Sequence, residues 1–440
     1  MAELLTLSLF VLSLAICLVG HFSILAALVF GLFCFGGYAL YQGHSLAQVG
    51  RMLWEGASKV KLILLIFIFI GLLTAAWRAS GTISYIIVQG VELIAPRYFV
   101  LCTFLLCSVV SFLTGTSFGT AGTVGVICMM LSDALGLDPL LSGGAILSGI
   151  FFGDRASPMS SSAQLVCVLT GTDIYANIHA MMRSALLPFL ASCFLYTVLA
   201  APANGTMAAG ELTAVFQSAF SLHWLSALPA VLILVLALCH VPVLIAMAAS
   251  VVAAILLALT LEGVGLGQLT HWLLTGYASA DPALAALLNG GGLSSMLSVS
   301  AIVLISSSYS GIFLHTPLLT GLQSQIKRLA RPCTPFGAAV LTAFCASAIS
   351  CNQTLATTLT HQLCGDLFPT PQARMLALED TVIVIAALIP WSIAGAVPIA
   401  AIGATSGCLF YAFYLYLIPL WNWALALAHR HKYERHAKEA

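Results

Sequence analysis

Gly153-Asp154-Arg155-Ala156-Ser157-Pro158-Met159-Ser160-Ser161-Ser162-Ala163-Gln164 sets two opposite charges and a run of hydroxyls between long apolar stretches. Charged groups at membrane depth are costly unless they face water, a ligand or a partner, so such a stretch cannot simply lie against lipid. Pro158 removes one amide donor, and Gly153 with the serines lets the backbone unwind, which frees carbonyls and hydroxyls together. A helical membrane protein builds an ion or solute site in this way. The plain alternative is a short polar loop between two spans.

Working outward, the 440 residues are 61% apolar and only 7% charged, which excludes an ordinary water-facing surface. Charge-free runs at Leu4–Gly20, Phe22–Gly43, Tyr98–Leu131, Ser184–Gly210 and Thr381–Ala428 approach or exceed the length of a helical crossing. By the criterion of ~20 residues per crossing we read an all-α polytopic membrane protein of about ten to twelve apolar segments, some broken or re-entrant. No alternating pattern of a β-barrel occurs. The first apolar run lacks a basic leader and a small-residue cleavage site, and reads as a retained span. The 13 cysteines lie singly in apolar runs without a CxxC pair, and read as small buried hydrophobes rather than disulfides or metal ligands.

Net charge is zero. The basic residues are nonetheless unevenly placed: Arg51, Lys59 and Lys61 form one cluster, Lys327, Arg328 and Arg331 another, and Arg430, Lys432, Arg435 and Lys438 a third. The connections Ala203–Ser221 and Gly263–Ser295 contain no lysine or arginine. The positive-inside rule then places the clusters and both termini in the cytoplasm and the two bare connections outside.

A pattern recurs along the chain. In the first half Gly56-Ala57-Ser58 opens a span to Trp77, and Tyr98–Leu113 runs into Gly115-Thr116-Ser117-Phe118-Gly119-Thr120-Ala121-Gly122. In the second, Gly292-Leu293-Ser294-Ser295 opens a span to Phe313, and Phe336–Ile349 runs into Ser350-Cys351-Asn352-Gln353-Thr354. Each half adds a second polar device, the Asp154 stretch in one and Leu378-Glu379-Asp380-Thr381 with Ile389-Pro390-Trp391-Ser392 in the other. Paired interruptions in two halves point to inverted repeats that meet at a midplane site. The expected organisation is two leading helices (1–50), a first repeat (51–202), a connector of outward loops and linking helices turning at His240-Val241-Pro242 (203–290), a second, inverted repeat (291–428) and a cytoplasmic tail (429–440).

The candidate ion- or substrate-binding residues follow from chemistry. Thr116, Ser117, Gly119 and Thr120 can offer hydroxyls and freed carbonyls, ligands that suit a hard cation; close helix packing by small residues is the alternative. Asp154, with Ser157, Ser160 and Ser161, supplies an acid able to act as cation ligand, proton carrier or counter-ion, unless it serves only in a salt bridge with Arg155 or across the bundle. A transported sodium ion would sit at Asp154, Thr116 and Ser117. Asn352, Gln353 and Thr354 are neutral donors and acceptors. Glu379 and Asp380, adjacent on a helix, point about 100° apart, so one is expected to bind and the other to pair, with Arg374 as the nearest candidate. His179, His240, His315 and His361 are scattered and read as packing or interfacial residues, and Trp391 as packing. No GxxxxGK[ST], GxSxG or HExxH motif occurs, so neither ATP-driven transport nor enzymatic catalysis is expected, and no cofactor is implied.

At these residues the chain resembles the NhaC-type sodium/proton antiporter family, which includes members that exchange malate for lactate with sodium and protons. The resemblance rests on Gly115 to Gly125, on Gly153-Asp154-Arg155 and Ser157-Pro158, on Gly171-Thr172-Asp173, and on a LEDxxxxxxxxIPW pattern from Leu378 to Trp391. The family commonly has tryptophan at Phe118 and aspartates at Ser161 and Asn352. The resemblance implies a secondary transporter of the bacterial inner membrane that exchanges sodium for protons. The alternative is a sodium- or proton-coupled carrier of a small organic solute, an amino acid or carboxylate, which the loss of two acids favours. The expected partners are those ions or solutes and the lipid bilayer, with no nucleic acid; a homodimer is left open.

Overall fold

A computed structural model describes residues 2–20, 22–93, 96–200, 215–239, 241–316 and 322–439. Most of the first bare connection, residues 201–214, and His240 therefore lie outside the described residues. Apart from one isolated bridge between Tyr277 and Gly290, the described residues form helices, turns and irregular backbone.

The first half runs α1 (Ala2–Val19), α2 (Ile24–Tyr41), α3 (Leu46–Ser58), α4 (Lys61–Ala79), α5 (Thr82–Leu93), α6 (Pro96–Thr114), α7 (Ser117–Thr120), α8 (Val126–Ala134), α9 (Pro139–Ala156), α10 (Ser161–Thr170) and α11 (Ile174–Leu199). A π turn over Ala121–Gly125 joins α7 to α8, making one continuous rod from Ser117 to Ala134. The middle holds α12 (Leu228–Leu238), α13 (Val243–Thr260), α14 (Leu266–Thr275) and α15 (Pro282–Leu288). The second half runs α16 (Gly292–Ser295), α17 (Leu297–His315), α18 (Leu322–Ser350), α19 (Gln353–Cys364), α20 (Pro371–Glu379), α21 (Val382–Ile385), α22 (Ile393–Ala401) and α23 (Phe413–Glu439).

Among the described residues seven helices are long and apolar enough to cross a bilayer: α2, α4, α6, the α7–α8 rod, α11, α13 and α17. The segment Pro371–Leu388 with Ile393–Ala401, bent by 55°, has the length and composition of a broken span or a re-entrant loop. Shorter apolar helices, such as Ser161–Thr170 and Phe413–Ala428, add to these. This is a multi-pass, all-α membrane protein.

Helix α9 is absent from that set because it carries Asp154, Arg155 and four glycines, and the fold shows how such a helix is tolerated. Leu141 to Phe151 are buried without exception, so protein rather than lipid surrounds it. In a bilayer there is no hydrophobic gain from moving one apolar helix onto another, and close van der Waals packing decides. Gly149 and Gly153 provide it: a Cβ at Gly149 would lie 2.6 Å from the Phe104 carbonyl oxygen, and one at Gly153 would overlap the Ser111 backbone. Ser111 Oγ then donates to the Ile150 carbonyl at 2.5 Å, fixing α6 on α9.

One element differs from the sequence expectation. Gly56-Ala57-Ser58 closes α3 rather than opening the span, which begins at Lys61. Helix α3 starts with a reciprocal capping box between Ser45 and Gln48 and packs its Gly56 against the Ser307 and Ser308 carbonyls of α17. Helices α1 and α2 join the same side through edge-on contacts among Phe10, Phe35 and Tyr309.

Candidate functional site

Two chain breaks with matching backbone geometry build the centre. Helix α6 ends, Gly115 turns left-handed (φ 69°), Thr116 is extended (φ −143°, ψ 119°), and α7 begins at Ser117. Helix α18 ends, Cys351 turns left-handed (φ 54°), Asn352 is extended (φ −141°, ψ 124°), and α19 begins at Gln353. In both, the extended residue caps the new helix: Thr116 Oγ1 accepts from Gly119 N at 3.2 Å, and Asn352 Oδ1 from Leu355 N at 3.2 Å. Glycine suits the first position, since it adopts positive φ without cost and a Cβ there would lie 2.5 Å from the Met159 backbone.

A second pair of breaks matches as well. Ser157 and Ile389, each before a proline, are extended (ψ 137° and 111°), as the ring of the following residue demands. Ser160 N donates to Ser157 O at 3.2 Å and Ser392 N to Ile389 O at 3.0 Å, and both serines precede a new helix in similar conformations (φ −70° and −72°).

A cavity of about 370 Å³ lies where these breaks meet, lined by Gly115, Thr116, Ser117, Asp154, Ser161, Ser162, Asn352, Gln353 and Thr354, with Ile63, Phe118 and Ile383 among its apolar walls. Asp154 is 4% exposed and its two oxygens are held separately: Ser160 Oγ donates to Oδ1 at 3.2 Å and Ser162 Oγ to Oδ2 at 3.1 Å. The Ser117 amide also faces this carboxylate. Gln353 Nε2 donates to Ile383 O at 2.9 Å, which turns its carbonyl oxygen toward Ser162, 3.4 Å away. The rods that begin at Ser117 and Gln353 aim the positive ends of their dipoles at the cavity. The result is one carboxylate among hydroxyls and amides, a donor set suited to a small cation or to a solute carrying a cationic group.

Asp154 and Arg155 turn apart. The Arg155 side chain, fully buried, donates to Asp380 Oδ1, to Ser184 Oγ at 2.8 Å and to Met181 O at 3.2 Å. Asp380 therefore pairs across the bundle with Arg155 and not with Arg374, whose Nε donates to Gly365 O at 3.0 Å. Glu379 and Asp380 do not line the cavity. Of the other sequence candidates, Ser157 Oγ accepts from Met159 N at 3.1 Å, Thr120 Oγ1 donates to Thr116 O at 2.8 Å, and Gly119 lines a second cavity. That cavity, about 570 Å³ and mostly apolar, shares Ile63, Thr116, Phe118 and Ser161 with the first and reaches Lys59 and Pro242. Trp391 donates its indole N–H to Ala348 O at 2.9 Å, a packing role.

Ser162 was not among the sequence candidates, although it holds half of Asp154. The signal was present: the second residue of a helix that restarts after a proline break faces back over the break. From sequence alone, Arg155 offers itself only as a partner of its own neighbour, Asp154.

The profile of the Na+/H+ antiporter family matches residues 2–150 and 149–424. The chain belongs to the Na+/H+ antiporter family. It is a family of transporters, not enzymes. Similar relatives include the malate-2H(+)/Na(+)-lactate antiporter of Bacillus subtilis, 27% identical over 80% of this chain and 77% of the relative. The Na(+)/H(+) antiporter NhaC of Alkalihalophilus pseudofirmus is 26% identical over 80% of this chain and 79% of its own. The arginine/ornithine antiporter ArcD of Halobacterium salinarum is 29% identical over 78% and 73%. Family motifs acquire local reasons here. Gly171-Thr172-Asp173 is the turn between α10 and α11: Gly171 adopts φ 68° and Asp173 caps α11 by accepting from Tyr175 N and Ala176 N. Ser161 and Asn352, where the resemblance leads one to expect aspartates, both line the Asp154 cavity.

Proposed function

We propose that this chain exchanges sodium for protons across the bacterial inner membrane, with both termini cytoplasmic, and that the cation binds at Asp154 with Thr116, Ser117, Ser161 and Ser162 around it. The observation that carries this is the Asp154 carboxylate held open by Ser160 and Ser162 at the meeting of two helix breaks. The matched dihedral sequences at Gly115-Thr116 and Cys351-Asn352, and at Ser157-Pro158 and Ile389-Pro390, support two inverted repeats, 51–202 and 291–428, as the halves that rock about this site. A third cavity, about 390 Å³ and lined by Arg78 and Asp133, lies at the far ends of α4, the α7–α8 rod and α22. Packed contacts of Gly122 with Ile70 and Met247, and of Gly125 with Ile146 and Ile402, separate it from the Asp154 cavity. Cavities that each carry an acid, Asp154 in one and Asp133 in the other, at the two ends of this packed region fit alternating access.

The test is uptake of radioactive sodium into proteoliposomes with an acidic lumen. The wild type accumulates sodium until the pH gradient collapses; a well-folded wild type that accumulates none refutes the reading.

A second reading is coupled transport of a small amino acid or carboxylate. The observation that favours it is the cavity itself: about 370 Å³ exceeds what one sodium ion requires, and Ser161 and Asn352 line it as neutral hydrogen-bonding groups. Thermal stabilisation in detergent by organic acids and basic amino acids, compared with sodium and lithium alone, separates the two.

A further inference from the structure

Behind the Asp154 cavity lies a buried ionic cluster with uneven satisfaction. Arg155 is engaged by Asp380, Ser184 and Met181 O. Asp380 accepts from both Arg155 and Ser184 Oγ, the latter at 3.2 Å. Glu379, 1% exposed at the end of α20, has no such help: its Oε2 is buried with no hydrogen-bond partner. Tyr414 Oη and Arg155 Nε, in the same cluster, are also without partners. The charged and titratable groups that face Glu379 are Arg155 and Asp154 from α9, its neighbour Asp380, Tyr414 from α23 and Cys167 from α10.

The charges are simple to balance. Arg155 and Asp380 cancel, and both are hydrogen-bonded in the charged form. An ionised Glu379 would add a second buried negative charge against the single Arg155, which Asp380 already engages, with no hydrogen bond to its Oε2 and beside the negative Asp154. Asp154 has the opposite surroundings, with the Ser160 and Ser162 hydroxyls donating to its two oxygens and a cavity lined by hydroxyl and amide side chains in front. One carboxyl is thus built to be charged and the other to hold a proton.

We propose that the two tasks of the exchanger are divided between these acids: Asp154 holds the transported cation, and Glu379 carries the proton exchanged for it. The inference rests on the sodium/proton reading above and deepens it. While Asp154 is bare, its negative charge favours the protonated form of Glu379. A cation on Asp154 cancels that charge, and Glu379 releases its proton to water on the side the site faces. By linkage the effect is reciprocal: a proton on Glu379 weakens cation binding at Asp154. No bond other than O–H is made or broken. Arg155, next to Asp154 in sequence and bonded to Asp380 beside Glu379, makes the two sites one rigid unit.

The experiment compares two fluxes in proteoliposomes: sodium uptake driven by a pH gradient, and exchange of radioactive for unlabelled sodium at equal pH. In Glu379→Gln, with a permanently neutral side chain, we expect gradient-driven uptake to be lost while sodium self-exchange persists. The apparent KM for sodium in that variant should lose about tenfold of pH dependence per pH unit, the contribution of one linked proton. Gradient-driven uptake retained in Glu379→Gln, or both fluxes lost in a monodisperse variant as thermostable as wild type, overturns the inference. Should Glu379→Gln not fold, Glu379→Asp decides: self-exchange is retained and the pH midpoint of driven uptake moves, and an unmoved midpoint overturns the inference. A wild type with neither flux refutes the sodium/proton reading itself.

Discussion

Replacing Arg155 with methionine removes the donor of three buried hydrogen bonds and leaves Asp380 with the single hydroxyl of Ser184. Breaking a buried ion pair from one side strands the other charge and costs about 3–5 kcal/mol. At roughly 2 °C per kcal/mol, the lower end of the range for chains of a few hundred residues, Arg155→Met should lower the melting temperature in detergent by about 6–10 °C. The double variant Arg155→Met/Asp380→Leu removes both charges, and because apolar replacement of a whole buried pair is often neutral or stabilising, most of that loss should return. Fluorescence-detected size-exclusion chromatography after heating reads both. If Arg155→Met melts with the wild type, or the double variant falls by the sum of the two single ones, the pair does not carry the interaction assigned to it.

Gly149→Ala, forced against the Phe104 carbonyl, should destabilise the same melting curve by about 1–3 kcal/mol, the usual cost of overpacking. Ser162→Ala should raise the KM for sodium several-fold, since one hydrogen bond to Asp154 contributes about 0.5–1.5 kcal/mol. Ser161→Asp and Asn352→Asp each place a second carboxylate on the cavity, and should tighten sodium binding and steepen its pH dependence in flux assays. On the outer face of α3, the hydrogen bond to His315 (2.8 Å) holds the exposed Glu55 carboxyl below its usual range. The small stabilisation from that pair is present above the ordinary carboxylate titration and lost as pH falls through the lowered one, so melting curves of wild type and His315→Ala should converge in acid.

Much of this was legible because a bilayer punishes polar backbone and charge. Long charge-free runs marked the crossings, and the Asp154 stretch stood out as the place where helix could not simply continue. Two features were hidden for distinct reasons. Asp380 pairs with Arg155, 225 residues away, and no local pattern reveals which of several buried cations a carboxylate will meet; Arg374 was nearer only in sequence. Helix α3 blends into the basic loop because its apolar face covers α17 rather than lipid, and only the Ser45–Gln48 spacing announced it. Cys351 shows a third limit: a left-handed residue that is not glycine carries no sequence mark, and only the break's counterpart at Gly115 gives it meaning.

The most direct test is a lumenal pH dye in proteoliposomes under an imposed sodium gradient, with wild type and Asp154→Asn compared at equal, verified insertion. The account predicts a sodium-dependent pH change in the wild type that is absent in Asp154→Asn while the variant remains folded. A pH change of equal size in both, or none in a folded wild type, would contradict it.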